Sequence, residues 1–128
     1  MKKVWIACMA VLMLFACSNE PVRSRIESEV SDINSKCPKM IDSETRIDGV
    51  VLLQPNTIVY KYTLVNLSAG NLDTAGFRSA MWPGILGTIR INPGLKDLRD
   101  NETTFRYLYL NRDGKKAYEF TVTPRQYK

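Results

Sequence analysis

The chain has no histidine, only three cysteines, and no apolar run longer than the thirteen residues Val4–Ala16. The missing histidine removes Ser-His and Cys-His nucleophilic pairs, histidine general bases and every histidine-containing zinc site. GxSxG, GxGxxG and GxxxxGK motifs are also absent, which leaves no nucleophile elbow, dinucleotide fingerprint or phosphate loop. Asn111-Arg112-Asp113-Gly114 lacks the further acidic ligands and closing Glu of a calcium loop, so it reads as a turn. No metal or cofactor is expected, and the composition argues against an enzyme. A sugar-cleaving carboxylate pair stays formally open among Asp42, Glu44, Asp48, Asp97, Asp100 and Glu102. Surface ion pairs with Arg46, Lys96 and Arg99 account for these acids more simply.

What is present begins with a leader. Met1-Lys2-Lys3 is a short basic start, followed by thirteen uncharged residues, Val4–Ala16. A helix needs roughly 20 apolar residues to span a bilayer, so this stretch is too short to remain as an anchor. It fits the apolar core of a secretory signal, with small Ala16 at the cut. Leu14-Phe15-Ala16-Cys17 resembles the lipobox of bacterial lipoproteins, although Phe15 is bulkier than the usual occupant of its slot. Cys8 has almost no apolar segment before it and cannot play the same part. The resemblance implies removal of residues 1–16 and acylation of Cys17 on both sulfur and amine; two or more chains hold stably where one does not. Ser18-Asn19 follows with no Asp at the second position, which by the same resemblance implies the outer membrane of a Gram-negative bacterium. The competing reading is an ordinary secreted protein in which Cys17 is a plain thiol.

The chain remaining after that cut would carry 16 Lys+Arg against 13 Asp+Glu, or +3, since Lys2 and Lys3 leave with the signal. Residues 17–70 hold six basic and seven acidic side chains, whereas residues 71–128 hold ten and six. So mild a bias reads as a solvated surface, or as a weak preference for anionic partners. Nucleic acid is not expected as a partner of an exported chain. Cys37 stands alone in residues 18–128, where it can form no intramolecular disulfide and reads as a small buried hydrophobe.

Residues 17–21 read as a lipidated tether and residues 22–128 as one domain. Val22, Ile26, Val30 and Ile33 recur on one face of a helix over Val22–Lys36, which Cys37-Pro38 ends. Thr45–Leu53 and Thr57–Val65 form a hairpin around Gln54-Pro55-Asn56. Leu72–Ile91 has helical character but contains Trp82-Pro83-Gly84, which predicts a kink or two short helices with Pro83 opening the second. A second hairpin follows, Thr103–Leu110 and Lys115–Thr123, around Asn111–Gly114. The order predicts an α+β fold: a four-stranded antiparallel sheet built from two hairpins, with the N-terminal helix and a Pro-broken central helix on one face.

Thr57–Tyr62 and Thr104–Tyr109 echo one another, as two sheet strands with the same task. The runs Cys37-Pro38, Ile41-Asp42, Thr45-Arg46-Ile47-Asp48, Tyr60–Asn66, Asn92–Lys96 and Val122-Thr123-Pro124 resemble small bacterial envelope lipoproteins. That resemblance implies the architecture, with no activity and no site residues.

The one positive hint of a site is the aromatic alternation. Tyr60, Tyr62, Tyr107, Tyr109 and Tyr118 either pack under the helices or supply an amphipathic surface for a partner. Were they to face the helices, the opposite face, with Lys61 and Arg106 among Val59, Thr63 and Leu108, becomes the candidate. The candidate partner surface is thus Tyr60, Lys61, Tyr62, Arg106, Tyr107 and Tyr109. Three functions are compatible: a membrane-anchored, non-enzymatic module binding another envelope protein (an inhibitor or immunity-type lipoprotein included), a carrier of small apolar ligands, or a carboxylate hydrolase.

Overall fold

The computed structural model describes residues 20–128. The expected leader, its expected cut and the expected acylation of Cys17 lie outside the described residues. The elements run α1 (Glu20–Ser35), β1 (Lys39–Met40), β2 (Thr45–Leu53), β3 (Thr57–Leu64), α2 (Thr74–Ile91), a single 3-10 turn (Pro93–Leu95), α3 (Lys96–Asp100), β4 (Thr104–Leu110), β5 (Lys116–Val122) and α4 (Pro124–Tyr127).

The sheet has five strands in sequence order, and only its central pair, β3 and β4, is parallel. This corrects the expected four-stranded antiparallel sheet. The two hairpins do form, but α2 carries the chain back along the sheet, so β4 re-enters in the direction of β3, as helical crossovers require. The fifth strand, β1, is two residues long, too short to show a period, and pairs Lys39 with Ile47 and Met40 with Arg46.

The helices cover one face. Ile26 of α1 and Ile85 and Ile89 of α2 are buried against Val50, Ile58, Phe105, Phe120 and Val122, while Val22, Val30 and Ile33 pack around them. α1 lies over β2 and against α3, whereas α2 lies over β5 and against α4. Phe105, fully buried, meets the ring of Tyr127 edge-on, and the Tyr127 hydroxyl donates to the Thr103 carbonyl at 2.7 Å. The C-terminal turn is thereby locked to the start of β4.

The central helix is not broken. α2 runs through Pro83 as one 18-residue helix, capped by the Asp73 carboxylate at the Gly76 N–H, 3.1 Å away. The reason is orientation. Pro83 and Ser79, whose carbonyl loses its helical partner, are both exposed, so water replaces the missing bond. Ile85 and Ile89, on the buried side, hold the helix to the sheet.

Candidate functional site

The period-two pattern divides the six candidate surface residues between two faces. Tyr60, Tyr62, Tyr107 and Tyr109 lie on the helix-covered face. Tyr60 is opposite Tyr107, and Tyr62 is opposite Tyr109, in the parallel pair. Their rings stack into a ladder, with centroid separations of 5.1 Å for Tyr60–Tyr107, 6.3 Å for Tyr62–Tyr107 and 5.0 Å for Tyr62–Tyr109. Phe77 of α2 meets Tyr109 edge-on at 5.1 Å. Burial pushes the Tyr60 and Tyr109 hydroxyls up to about 12, and those of Tyr62 and Tyr107 higher still. They are neutral at physiological pH and act as core, with Tyr62 only partly covered.

Lys61 and Arg106 lie on the other face, bare of described helices, where Val59 and Thr63 are nonetheless only 4% and 5% exposed. Arg106 donates to both carboxylate oxygens of Glu119, at 2.9 and 3.1 Å, which lowers the Glu119 pKa below its usual range. Beside Lys61, Thr63 donates to Asp48 at 2.5 Å and Arg46 bonds the same carboxylate at 2.6 Å, across the bulge of β2. Arg46, Asp48, Arg106 and Glu119 on this face are thus paired with one another, and none of four cavities bounded by described residues is lined by Lys61 or Arg106.

The open apolar feature is elsewhere, where α1 gives way to β1. A surface groove of about 420 Å³ is lined by Ile33, Lys36, Cys37, Met40, Ile41 and Ile47. Met40 is 45% exposed and Ile41 is 55% exposed. The segment is pinned: the Ile41 N–H donates to the Thr45 carbonyl at 2.9 Å, and Asp42 accepts from the N–H groups of Glu44 and Thr45 at 2.8 and 2.7 Å. Those two bonds hold the Asp42 carboxyl below the usual range. Ile47, in the groove wall, is the strand partner of Tyr62 at the partly covered end of the tyrosine ladder. Cys37 is half-buried in the same wall, not in the core as expected. None of the six candidate surface residues lines the groove; Tyr62 is linked to it only as the strand partner of Ile47. Met40 and Ile41 were missed because two apolar residues in a turn carry no period; the sole sequence signal was their setting between Lys39 and Asp42.

The acids considered for hydrolysis fall at opposite ends of the sheet. Asp42, Glu44 and Asp48 sit near the groove end. At the other end Asp97 pairs with Arg25, Asp100 with Lys96 and Glu102 with Lys128. Between α1 and the sheet there is only about 70 Å³, lined by Ile26, Val30, Ile58, Tyr60 and Leu98 among others, well below a ligand cavity. Among the described residues no cluster of potential metal ligands forms, and no helix is long and apolar enough to cross a membrane.

These features define a small two-layer α+β domain with a pinned apolar groove at one end and a charge-paired bare sheet face. The chain belongs to the family described as a domain of unknown function (DUF8479), whose model matches residues 21–118. No curated protein matches it in sequence. Among solved structures it is similar to EpsS, a pilotin from the type 2 secretion system of Vibrio vulnificus, with a TM-score of 0.63 at 10% identity over 84% of this chain and 93% of that one. It is similar to AspS, the type II secretion system pilotin of Vibrio cholerae, with a TM-score of 0.56 at 12% identity over 83% and 92%. A protein of Pseudomonas aeruginosa also aligns, with a TM-score of 0.63 at 9% identity over 84% and 94%. At such identities the likeness establishes the shared fold, and none of these matches carries a catalytic assignment.

Proposed function

We propose that this protein is a non-enzymatic accessory module of the Gram-negative envelope, held at the outer membrane by acylated Cys17, which binds another envelope protein through the Met40–Ile41 groove. The observation that carries the reading is the groove itself. Two large apolar side chains stand about half exposed on a turn rigidified by backbone and Asp42 bonds, beside a concave wall of Ile33, Cys37 and Ile47 edged by Asp32, Lys36 and Lys39. Exposed apolar surface arranged this way costs free energy unless a partner covers it. The fold shared with two pilotins supports an accessory role in an envelope assembly of the type II secretion kind. The lipobox and the absence of histidine support the anchor and the lack of catalysis.

The test places a photo-crosslinking residue at Ile41 and, as control, at Lys61 on the bare face, in living cells. A single discrete envelope adduct from position 41, missing from position 61, supports the reading. An adduct from the bare face instead, or recovery of the protein alone in gentle detergent, overturns it.

A further inference from the structure

The groove and the attachment point are at opposite ends of the domain. α1 is 16 residues long, so its two ends are about 24 Å apart. Its last turn walls the groove. Its first turns are tied to α3 by Arg25, which grips Asp97 at 3.0 and 3.1 Å. From α3, Arg99 donates to the Ile89 and Asn92 carbonyls at the end of α2, at 2.8 and 2.6 Å. Arg90 of that same turn donates to the Gln126 carbonyl of α4 at 2.8 Å. The start of α1, the end of α2, α3 and α4 therefore form one end of the molecule.

Cys17 precedes Glu20 by three residues, a reach of at most about 10 Å. A lipid on Cys17 thus keeps this end, and not the groove end, beside the bilayer. The surface there suits it. Ile91, the last residue of α2, is 80% exposed, the most exposed large hydrophobic in the described chain. Its neighbour Arg90 and the nearby exposed Arg125 form no ion pair with a described acid. An exposed aliphatic beside two arginines that no described acid neutralises matches the layered chemistry of a headgroup region, apolar below and anionic above.

We infer that this end is a second, lipid-facing contact: Ile91 enters the headgroup layer, Arg90 and Arg125 meet anionic phosphates, and the domain stands on the membrane with its groove raised. The inference rests on the Cys17 anchor of the proposed function.

The experiment uses the mature lipidated protein in vesicles of phosphatidylethanolamine with or without phosphatidylglycerol. In a Cys37→Ser background, Ile91→Cys or Ile41→Cys carries a fluorophore, and its access to an aqueous quencher is measured. The expected result is shielding at position 91 that needs phosphatidylglycerol, with position 41 open throughout. Arg125→Gln, a change at an exposed side chain, weakens that shielding about five-fold. Equal access at both positions, or greater shielding at 41, in an acylated protein overturns the orientation alone. A mature mass without acyl chains overturns the anchor and the orientation together.

Discussion

The side-chain amide of Asn34 closes the edge of the sheet at Val50, accepting from its N–H at 2.8 Å and donating to its carbonyl at 2.8 Å. β1 pairs with β2 only at Arg46 and Ile47, so no described strand covers the outer edge of β2 beyond it. One amide of α1 therefore supplies the bonds a neighbouring strand would have made. A bare edge is a template for another chain, and this is a compact way of blunting it.

Replacing Asn34 by Ala removes both bonds. The expected loss is about 1–2 kcal/mol in chemical denaturation, together with concentration-dependent self-association seen by analytical ultracentrifugation. Gly49→Ala tests the same joint from the other side, because its Cβ would stand 3.2 Å from the Asn34 side-chain oxygen. It should destabilise in the same direction, and no further in the Asn34→Ala background. Full additivity of the two would disprove the shared contact.

The exposed middle of α2 gives a prediction of opposite sign. A Cβ at Gly84 meets nothing within 4 Å, and the residue is helical and exposed. Gly84→Ala should stabilise by about 0.5–1 kcal/mol through backbone entropy. Pro83→Ala restores the bond lost to the Ser79 carbonyl and should add about 1–3 kcal/mol. A lower melting temperature in either variant would show that the Pro-Gly pair maintains a shape the packing needs.

The tyrosine ladder sets the alkaline limit. In the unfolded chain these phenols ionise near 10. In the folded state burial raises all four, Tyr60 and Tyr109 to about 12. The neutral form is thus favoured by folding, a contribution fully present below about pH 10. It is lost as the pH rises through the folded values. Unfolding should begin above pH 10 and carry most of the phenolate absorbance change with it. Free titration of all the tyrosines before any loss of circular dichroism would contradict this.

Much of the architecture was legible because it is periodic. Val22, Ile26, Val30 and Ile33 give α1 its buried stripe, and the alternating tyrosines give β3 and β4 theirs. The echo between Thr57–Tyr62 and Thr104–Tyr109 proves to be a pairing: the two segments lie parallel and in register, from Thr57 opposite Thr104 to Tyr62 opposite Tyr109. Strand direction was not legible, because it depends on where α2 returns the chain and not on the strands themselves. Pro83 does not split the helix in two, because its effect depends on which side faces water. The groove was hidden for a related reason: Met40 and Ile41 look like any apolar pair until β1 and the Asp42 turn hold them at the surface.

Anchor and groove should be separable by mutation. Cys17→Ala should give unprocessed or unlipidated protein and abolish membrane fractionation, with the domain itself unchanged. Palmitate incorporation equal to that of the unaltered protein would refute the assignment. Ile41→Asp should do the reverse. Its side chain is more than half exposed, so stability should move by no more than about 0.5 kcal/mol. The protein should stay in the membrane fraction but lose its crosslinked partner, since the aliphatic contact is replaced by a carboxylate that must shed water when the partner covers it, even with Lys36 and Lys39 in the groove wall. If Ile41→Asp instead lowers the melting temperature by several degrees, Met40 and Ile41 are core outliers and the groove is not a binding surface. If binding survives at full strength, the partner contacts another face, and the bare sheet around Lys61 and Arg106 becomes the surface to probe.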